Sequence, residues 1–263
     1  MADDEGLVEA RLALLDVVGK VALAARLAAA IRADDPAECS RWLAAGADPN
    51  AFGNHIYGVP MLGLAVYDYE THDLEPPGLD ATDEEEAAWW GRRPPRTLGA
   101  AGNTKVIAIL LQHGADPNRP GRDTLPPLAA AVRYAGAAVI EVLSAGGADA
   151  NASYRGEPLL YTALRSHDTV GALVRAGANI NCKVSGEVPL LMYAIARALQ
   201  GWLPEGAVHS VLAAGADRAV ADRQGRRAAD LLPRTRAGCW LRSPMDGGRR
   251  LRLWTMLHDA VPS

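Results

Sequence analysis

Along most of this chain apolar residues recur at the spacing of one helix face, in short runs that each stop at a glycine. Val106-Ile107-Ala108-Ile109-Leu110-Leu111 and Val139-Ile140-Glu141-Val142-Leu143 are two such runs. A glycine just past the last periodic residue predicts a left-handed C-terminal cap. The residues at these stops repeat: Gly46-Ala47-Asp48-Pro49-Asn50, Gly114-Ala115-Asp116-Pro117-Asn118, Gly147-Ala148-Asp149-Ala150-Asn151, Gly177-Ala178-Asn179-Ile180-Asn181 and a shortened Gly215-Ala216-Asp217. The Asp and Asn after each glycine suit a turn that leads the chain out of its helix.

A second phrase marks the start of another helix in each unit. It reads Pro60-Met61-Leu62 with Ala65, Pro126-Pro127-Leu128 with Ala131, Pro158-Leu159-Leu160 with Ala163, and Pro189-Leu190-Leu191 with Ala194. Proline fits the first turn of a helix, where an amide N–H has no partner to lose. Leu and Ala three residues apart share a face, and the small Ala lets neighbouring helices approach closely. A polar, Gly-containing stretch between the two phrases predicts a hairpin turn.

The capping glycines are 68, 33, 30 and 38 residues apart. Three of these lie near one period of about 33 residues. The first is one period plus an insert of 33 residues, falling between the two helices at about residues 67–102. Two phrases recurring in phase over roughly residues 22–232 resemble the ankyrin repeat family, with Pro-Leu-Leu where that family has Thr-Pro-Leu. Leu27 and Ala30 fit an opening repeat, and Asp222-Arg223-Gln224-Gly225 with Ala228-Ala229-Asp230-Leu231-Leu232 resembles a closing one. The resemblance implies an all-α solenoid of about six helix-turn-helix repeats with hairpin loops, in which each repeat contacts its neighbours and the ends need caps. The expected division is a capping helix over 1–21, the array over 22–232 and a C-terminal cap over 233–263. Within that cap, Arg250 to Leu257 is expected to form a last helix whose Leu and Trp cover the open end.

Composition narrows the picture in three ways. Hydrophobic residues make up 49% of the 263, but there is one Phe, so the core must be built from Ala, Leu and Val. The net charge of −4 excludes a chain designed as a whole to coat nucleic acid. It hides an asymmetry, however: residues 1–90 carry 18 Asp and Glu against 5 Lys and Arg, and the remainder 13 against 22. Cys39, Cys182 and Cys239 have no metal-ligand or disulfide spacing, and Asp3, Asp4 and Glu5 stand where a secretory signal needs basic residues. The expectation is a reduced, cytoplasmic protein without a membrane span.

Partners of ankyrin repeats bind the concave face formed by the hairpin tips and first helices, and the resemblance implies the same here, together with the Trp-containing insert. The tips carry Phe52, Asn54, His55 and Tyr57, then Arg119, Arg122 and Asp123, then Tyr154 and Arg155, then Lys183 and Ser185. Tyr and Arg combine contact area with directed hydrogen bonds and are enriched in interface hot spots. The insert holds Asp83-Glu84-Glu85-Glu86-Ala87-Ala88-Trp89-Trp90, and paired tryptophans belong against the array or against a partner. The expected partner-binding set is Phe52, His55, Tyr57, Trp89, Trp90, Arg122, Tyr154 and Arg155, with no cofactor and no catalysis. His72, Asp73, Asp80 and Asp83 lack a recurring ligand spacing, so no metal site is expected. The glycines are accounted for by caps and turns, leaving no phosphate loop. Residues 218–252 hold 10 Arg against 3 Asp, which keeps a nucleic-acid module as the alternative. The Ala, Arg and Gly bias indicates a GC-rich, bacterial genome. Bacterial proteins resembling this one often neutralise toxins or effectors, which implies an immunity or inhibitor role, with a host-directed effector as the competing one.

Overall fold

A computed structural model describes residues 2–54, 58–67, 103–121, 125–184, 187–232 and 247–258, with side chains from residue 17 onward. The chain divides into two compact units, Met1–Ala148 and Asp149–Ser263.

The first unit opens with α1 (Ala2–Arg32), one continuous helix that runs through residue 21 without a break. Ala24, Leu27, Ala28 and Ile31 bury its C-terminal part. Asp34 then turns the chain at φ 51°, and the Asp35 carboxylate caps α2 (Pro36–Ala44) by accepting from the amides of Ala37 and Glu38 at 2.9 and 3.0 Å. The hairpin β1 (Phe52–Asn54) and β2 (Val59–Pro60) leads into α3 (Met61–Val66), which is buried throughout. Next come α4 (Asn103–Gln112) and α5 (Pro127–Ala130), which continues as a π turn over Ala131–Ala135, and finally α6 (Ala137–Ala145). Leu62, Ile107, Leu110, Leu128, Ile140 and Leu143 form the core between them.

The second unit repeats the plan. The hairpin β3 (Ser153–Tyr154) and β4 (Glu157–Pro158) precedes α7 (Leu159–Ala163) and α8 (His167–Arg175). The hairpin β5 (Lys183–Val184) and β6 (Val188–Pro189) precedes α9 (Leu190–Gln200) and α10 (Glu205–Ala213). A 3-10 turn over Ala228–Leu231 and α11 (Gly247–His258) follow, the latter burying Leu253 and Leu257 against α9 and α10.

Both repeated phrases have a local physical cause. Gly46, Gly114, Gly147, Gly177 and Gly215 all sit at φ between 87° and 93°, where an L side chain is strained. In each case the amide of the next residue, a buried Ala, returns to a carbonyl in the last helical turn, as from Ala47 to Trp42 at 3.0 Å and from Ala178 to Leu173 at 2.9 Å. The prolines lie one residue earlier than expected. Pro60, Pro126, Pro158 and Pro189 take extended ψ and immediately precede their helices, and only Pro127 stands at a first helical position. An extended proline needs no N–H as its strand ends, and the next amide closes the hairpin: Met61 to Ala51 at 3.1 Å, Leu159 to Ala152 at 3.2 Å, Leu190 to Cys182 at 3.0 Å.

Candidate partner-binding surface

The Asn that ends each repeated turn joins one repeat to the next. In the first unit the Asn50 side-chain amide donates to the Gly114 carbonyl at 2.8 Å and its oxygen accepts from the Asp116 amide at 2.7 Å, while Asn118 donates to Gly147 at 3.0 Å. In the second unit Asn151 donates to Gly177 at 3.1 Å and accepts from the Asn179 amide at 2.8 Å, and Asn181 accepts from the Asp217 amide at 2.8 Å. Each turn is braced internally by the preceding acidic or amide side chain, as Asp48 accepts from the Asn50 amide at 2.8 Å. These residues are occupied in holding the array.

The hairpin tips are built from residues that do not repeat. Phe52 is half-buried, and the Arg119 guanidinium lies 5.0 Å from its ring centre. Gly53 passes so close to Leu64 that a side chain there has no room. In the second unit Tyr154-Arg155-Gly156-Glu157 is a two-residue turn with φ 54° at Arg155 and 83° at Gly156. Positive φ at both central residues matches the twist of a hairpin, but it places a bulky Arg where Asn or Gly is preferred. Arg155 is exposed, with its guanidinium 5.5 Å from the Tyr154 ring centre. At the β5–β6 tip Glu187 has φ 76°, with Lys183 at 3.2 Å and Arg223 at 3.4 Å. Hydrogen bonds from Arg223 and then Lys183 hold its carboxyl below the usual range.

One cluster of the second unit was not nominated from sequence. Tyr161 on α7 and Tyr193 on α9 approach with ring centres 5.1 Å apart and hydroxyls 3.1 Å apart. Arg197, one turn beyond Tyr193, donates from Nε to the Tyr193 hydroxyl at 2.9 Å. Its guanidinium lies between the Tyr193 ring at 5.1 Å and the Trp202 ring at 4.6 Å. Trp202 is 47% exposed, a large apolar surface for a soluble face. Burial, and after it the hydrogen bond with Tyr193, pushes the Tyr161 hydroxyl pKa well above its ordinary value.

Among solved structures this fold is similar to an ankyrin repeat domain from Acinetobacter baumannii, with a TM-score of 0.56, 19% identity, 88% of this chain covered and 95% of that one. The chain has the ankyrin repeat fold. No family model matches it, and no curated protein matches it in sequence.

Of the residues expected to bind a partner, Phe52, Tyr154 and Arg155 lie at ankyrin hairpin tips, whereas His55, Tyr57, Trp89, Trp90 and Arg122 fall outside the described residues, as do Asn54's side chain, Asp123 and Ser185. His72, Asp73, Asp80 and Asp83 are outside them too. Among the described residues no group of His, Cys, Asp and Glu is arranged to hold a metal ion, and no helix is long and apolar enough to cross a membrane. Burial pushes the thiols of Cys39 and Cys182 up to about 11, so neither is a reactive thiolate near neutral pH.

Among the described residues, five of the arginines near the end of this ankyrin chain are engaged internally. Arg226 pairs with Asp222 at 2.8 Å, Arg223 with Glu187, and Arg218 donates to the Leu257 carbonyl at 3.1 Å. Arg252 donates to Glu205 at 2.7 Å and Arg249 lies 3.5 Å from the same carboxylate, which holds Glu205 below the usual range, the Arg252 hydrogen bond being the largest cause.

Proposed function

We propose that this chain is a protein-binding ankyrin scaffold that recognises a partner protein through its hairpin tips, the exposed side of its first helices and the Trp89–Trp90 segment. The array then has about six repeats, the second carrying the insert of about residues 67–102, between caps at 1–21 and 233–263. The carrying observation is three arginines seated on four aromatic rings: Arg119 on Phe52, Arg155 on Tyr154, and Arg197 on both Tyr193 and Trp202. Such pairs combine apolar area with directed donors, the composition of interface hot spots. The setting that fits is a bacterial cytoplasm in which the protein acts as an immunity protein or inhibitor, neutralising a toxin or effector by binding alone. A nucleic-acid role is less favoured, because phosphate binding needs several free cations and Arg218, Arg223, Arg226, Arg249 and Arg252 are engaged within the chain.

The test is affinity capture at moderate salt from the organism that encodes the chain, with the intact protein, a Trp89→Ala/Trp90→Ala variant and a Tyr154→Ala/Arg155→Ala variant. The expected result is one retained protein, lost or reduced at least tenfold with either variant, the loss expected when hot-spot residues are truncated. Retention of nucleic acid alone, or of a protein indifferent to both variants, overturns the reading.

A further inference from the structure

Resting on the scaffold reading, we infer that the Tyr161–Tyr193–Arg197–Trp202 face is a seat for an acidic segment of a partner protein, one carboxylate meeting Arg197 beside an apolar residue that covers Trp202. Five observations support this. Arg197 is half-buried, yet it pairs with no carboxylate among the described residues. Its Nε donates to Tyr193 and one Nη1 hydrogen reaches Gln200 at 3.4 Å, while Nη2 donates to nothing among the described residues. A guanidinium with a free edge is matched to a carboxylate, which accepts two parallel hydrogen bonds in its plane. The two flanking rings and the Tyr161–Tyr193 hydroxyl contact hold that plane in place before any ligand arrives, so little side-chain freedom is lost on binding.

The charge around the seat is net positive. Arg249 reaches the Ala198 carbonyl at 3.2 Å, at the same end of α9, and Arg249 and Arg252 are balanced by Glu205 alone. Glu157 also acts on Tyr161, and three arginines against these two glutamates leave a net positive field that draws an acidic segment toward Arg197. Trp202 supplies the apolar half of the contact, its ring being 47% exposed beyond its contact with Arg197. A nucleic-acid strand fits less well, because tracking a phosphate backbone requires a row of free cations. Among the described residues beside Arg197, Arg249 and Arg252 are tied to Glu205 rather than free.

The experiment is selection of a random dodecapeptide display library on the intact protein, followed by affinity measurements on the enriched peptides as free synthetic molecules. Enriched sequences are expected to carry Asp or Glu beside a large apolar residue. They should bind Arg197→Gln at least about tenfold more weakly, as expected when a charge-assisted hydrogen bond is removed. Arg197→Lys should also weaken them, since an ammonium keeps the charge but lacks the fork. Trp202→Ala, at an exposed position, weakens them without touching the fold, and Arg41→Gln in the other unit leaves affinity unchanged. Peptides without acidic enrichment, affinity indifferent to Arg197→Gln, or displacement by oligothymidylate with a steep salt dependence each overturn the inference. A lysate partner whose binding survives Arg197→Gln leaves the scaffold reading standing and removes this one. Acidic peptides selected with no lysate partner retained do the reverse.

Discussion

The repeated turns and the hairpin tips are both short polar loops rich in Gly, Asn and charge, yet they do opposite work. The turns share one plan: glycine at φ near 90°, a buried Ala, an acidic or amide brace and, at the first four, an Asn whose side chain reaches the next repeat. At the tips no two solutions agree. An Arg stacks across from another loop onto Phe52, an Arg in left-handed conformation accompanies Tyr154, and an ion-paired Glu187 tops the β5–β6 hairpin. Residues that recur are consumed by the frame, and those that vary are the ones the proposed function assigns to recognition.

Removing a frame residue should therefore act on stability, and removing a tip residue on binding. The largest effect is expected at Asn151. Its side chain both donates to Gly177 and accepts from Asn179, so Asn151→Ala deletes two hydrogen bonds and strips a partner from each of two backbone groups. A loss of about 2 kcal/mol in urea unfolding is expected at roughly 1 kcal/mol per bond. Tyr154→Ala, at a half-buried tip position three residues away, should cost under about 0.5 kcal/mol. Equal losses at the two sites would mean that turns and tips are not divided in this way.

A smaller effect of opposite sign is expected at Arg155. Its φ of 54° costs a non-glycine residue about 1 kcal/mol, and Asn tolerates that region better. Arg155→Asn, which completes an Asn-Gly turn, should raise stability by about 0.5 kcal/mol in the same assay while weakening capture of the partner. A variant that is both more stable and equally competent in capture would remove Arg155 from the recognition set.

How much of this was legible in the sequence follows from range. The helix ends were, because a glycine cap is decided within a few residues, and all five capping glycines take the expected conformation. A last helix was expected from Arg250 to Leu257 with its Leu and Trp residues covering the end; the helix forms over Gly247–His258 and buries Leu253 and Leu257. The Asn bonds were not: sequence assigned Asp and Asn to a local turn, and only the fold brings Asn50 to Gly114, 64 residues away. The prolines were displaced by one residue because a strand end and a helix start both accept proline, and the hairpin hydrogen bond selects the former. The aromatic seat was invisible for a different reason. Tyr161 stands three residues after its proline and Tyr193 four, so the two are out of phase and only neighbouring helices bring their rings together.

The closing turn shows what happens where the frame stops, and it carries the smallest expected effect. Ala219 stands where the earlier turns place Asn, and the loop after it is held by Asp222. That carboxylate is buried; burial pushes its pKa up, but the Arg226 amide and guanidinium at 2.9 and 2.8 Å and the Gln224 amide at 2.9 Å more than offset this and hold it below the usual carboxylate range. A folded-state pKa below the unfolded one means that the unfolded chain binds the extra proton first as pH falls. The stability contributed by Asp222 is thus complete above the unfolded value of about 4 and is lost as pH drops through the folded one. Asp222→Asn should be less stable than the parent at pH 7, with the gap closing below about pH 4 in unfolding curves followed by circular dichroism. A gap that stays constant down to about pH 2 would show that the amide of Asn serves the loop as a carboxylate does, and that the closing turn is held by shape rather than by charge.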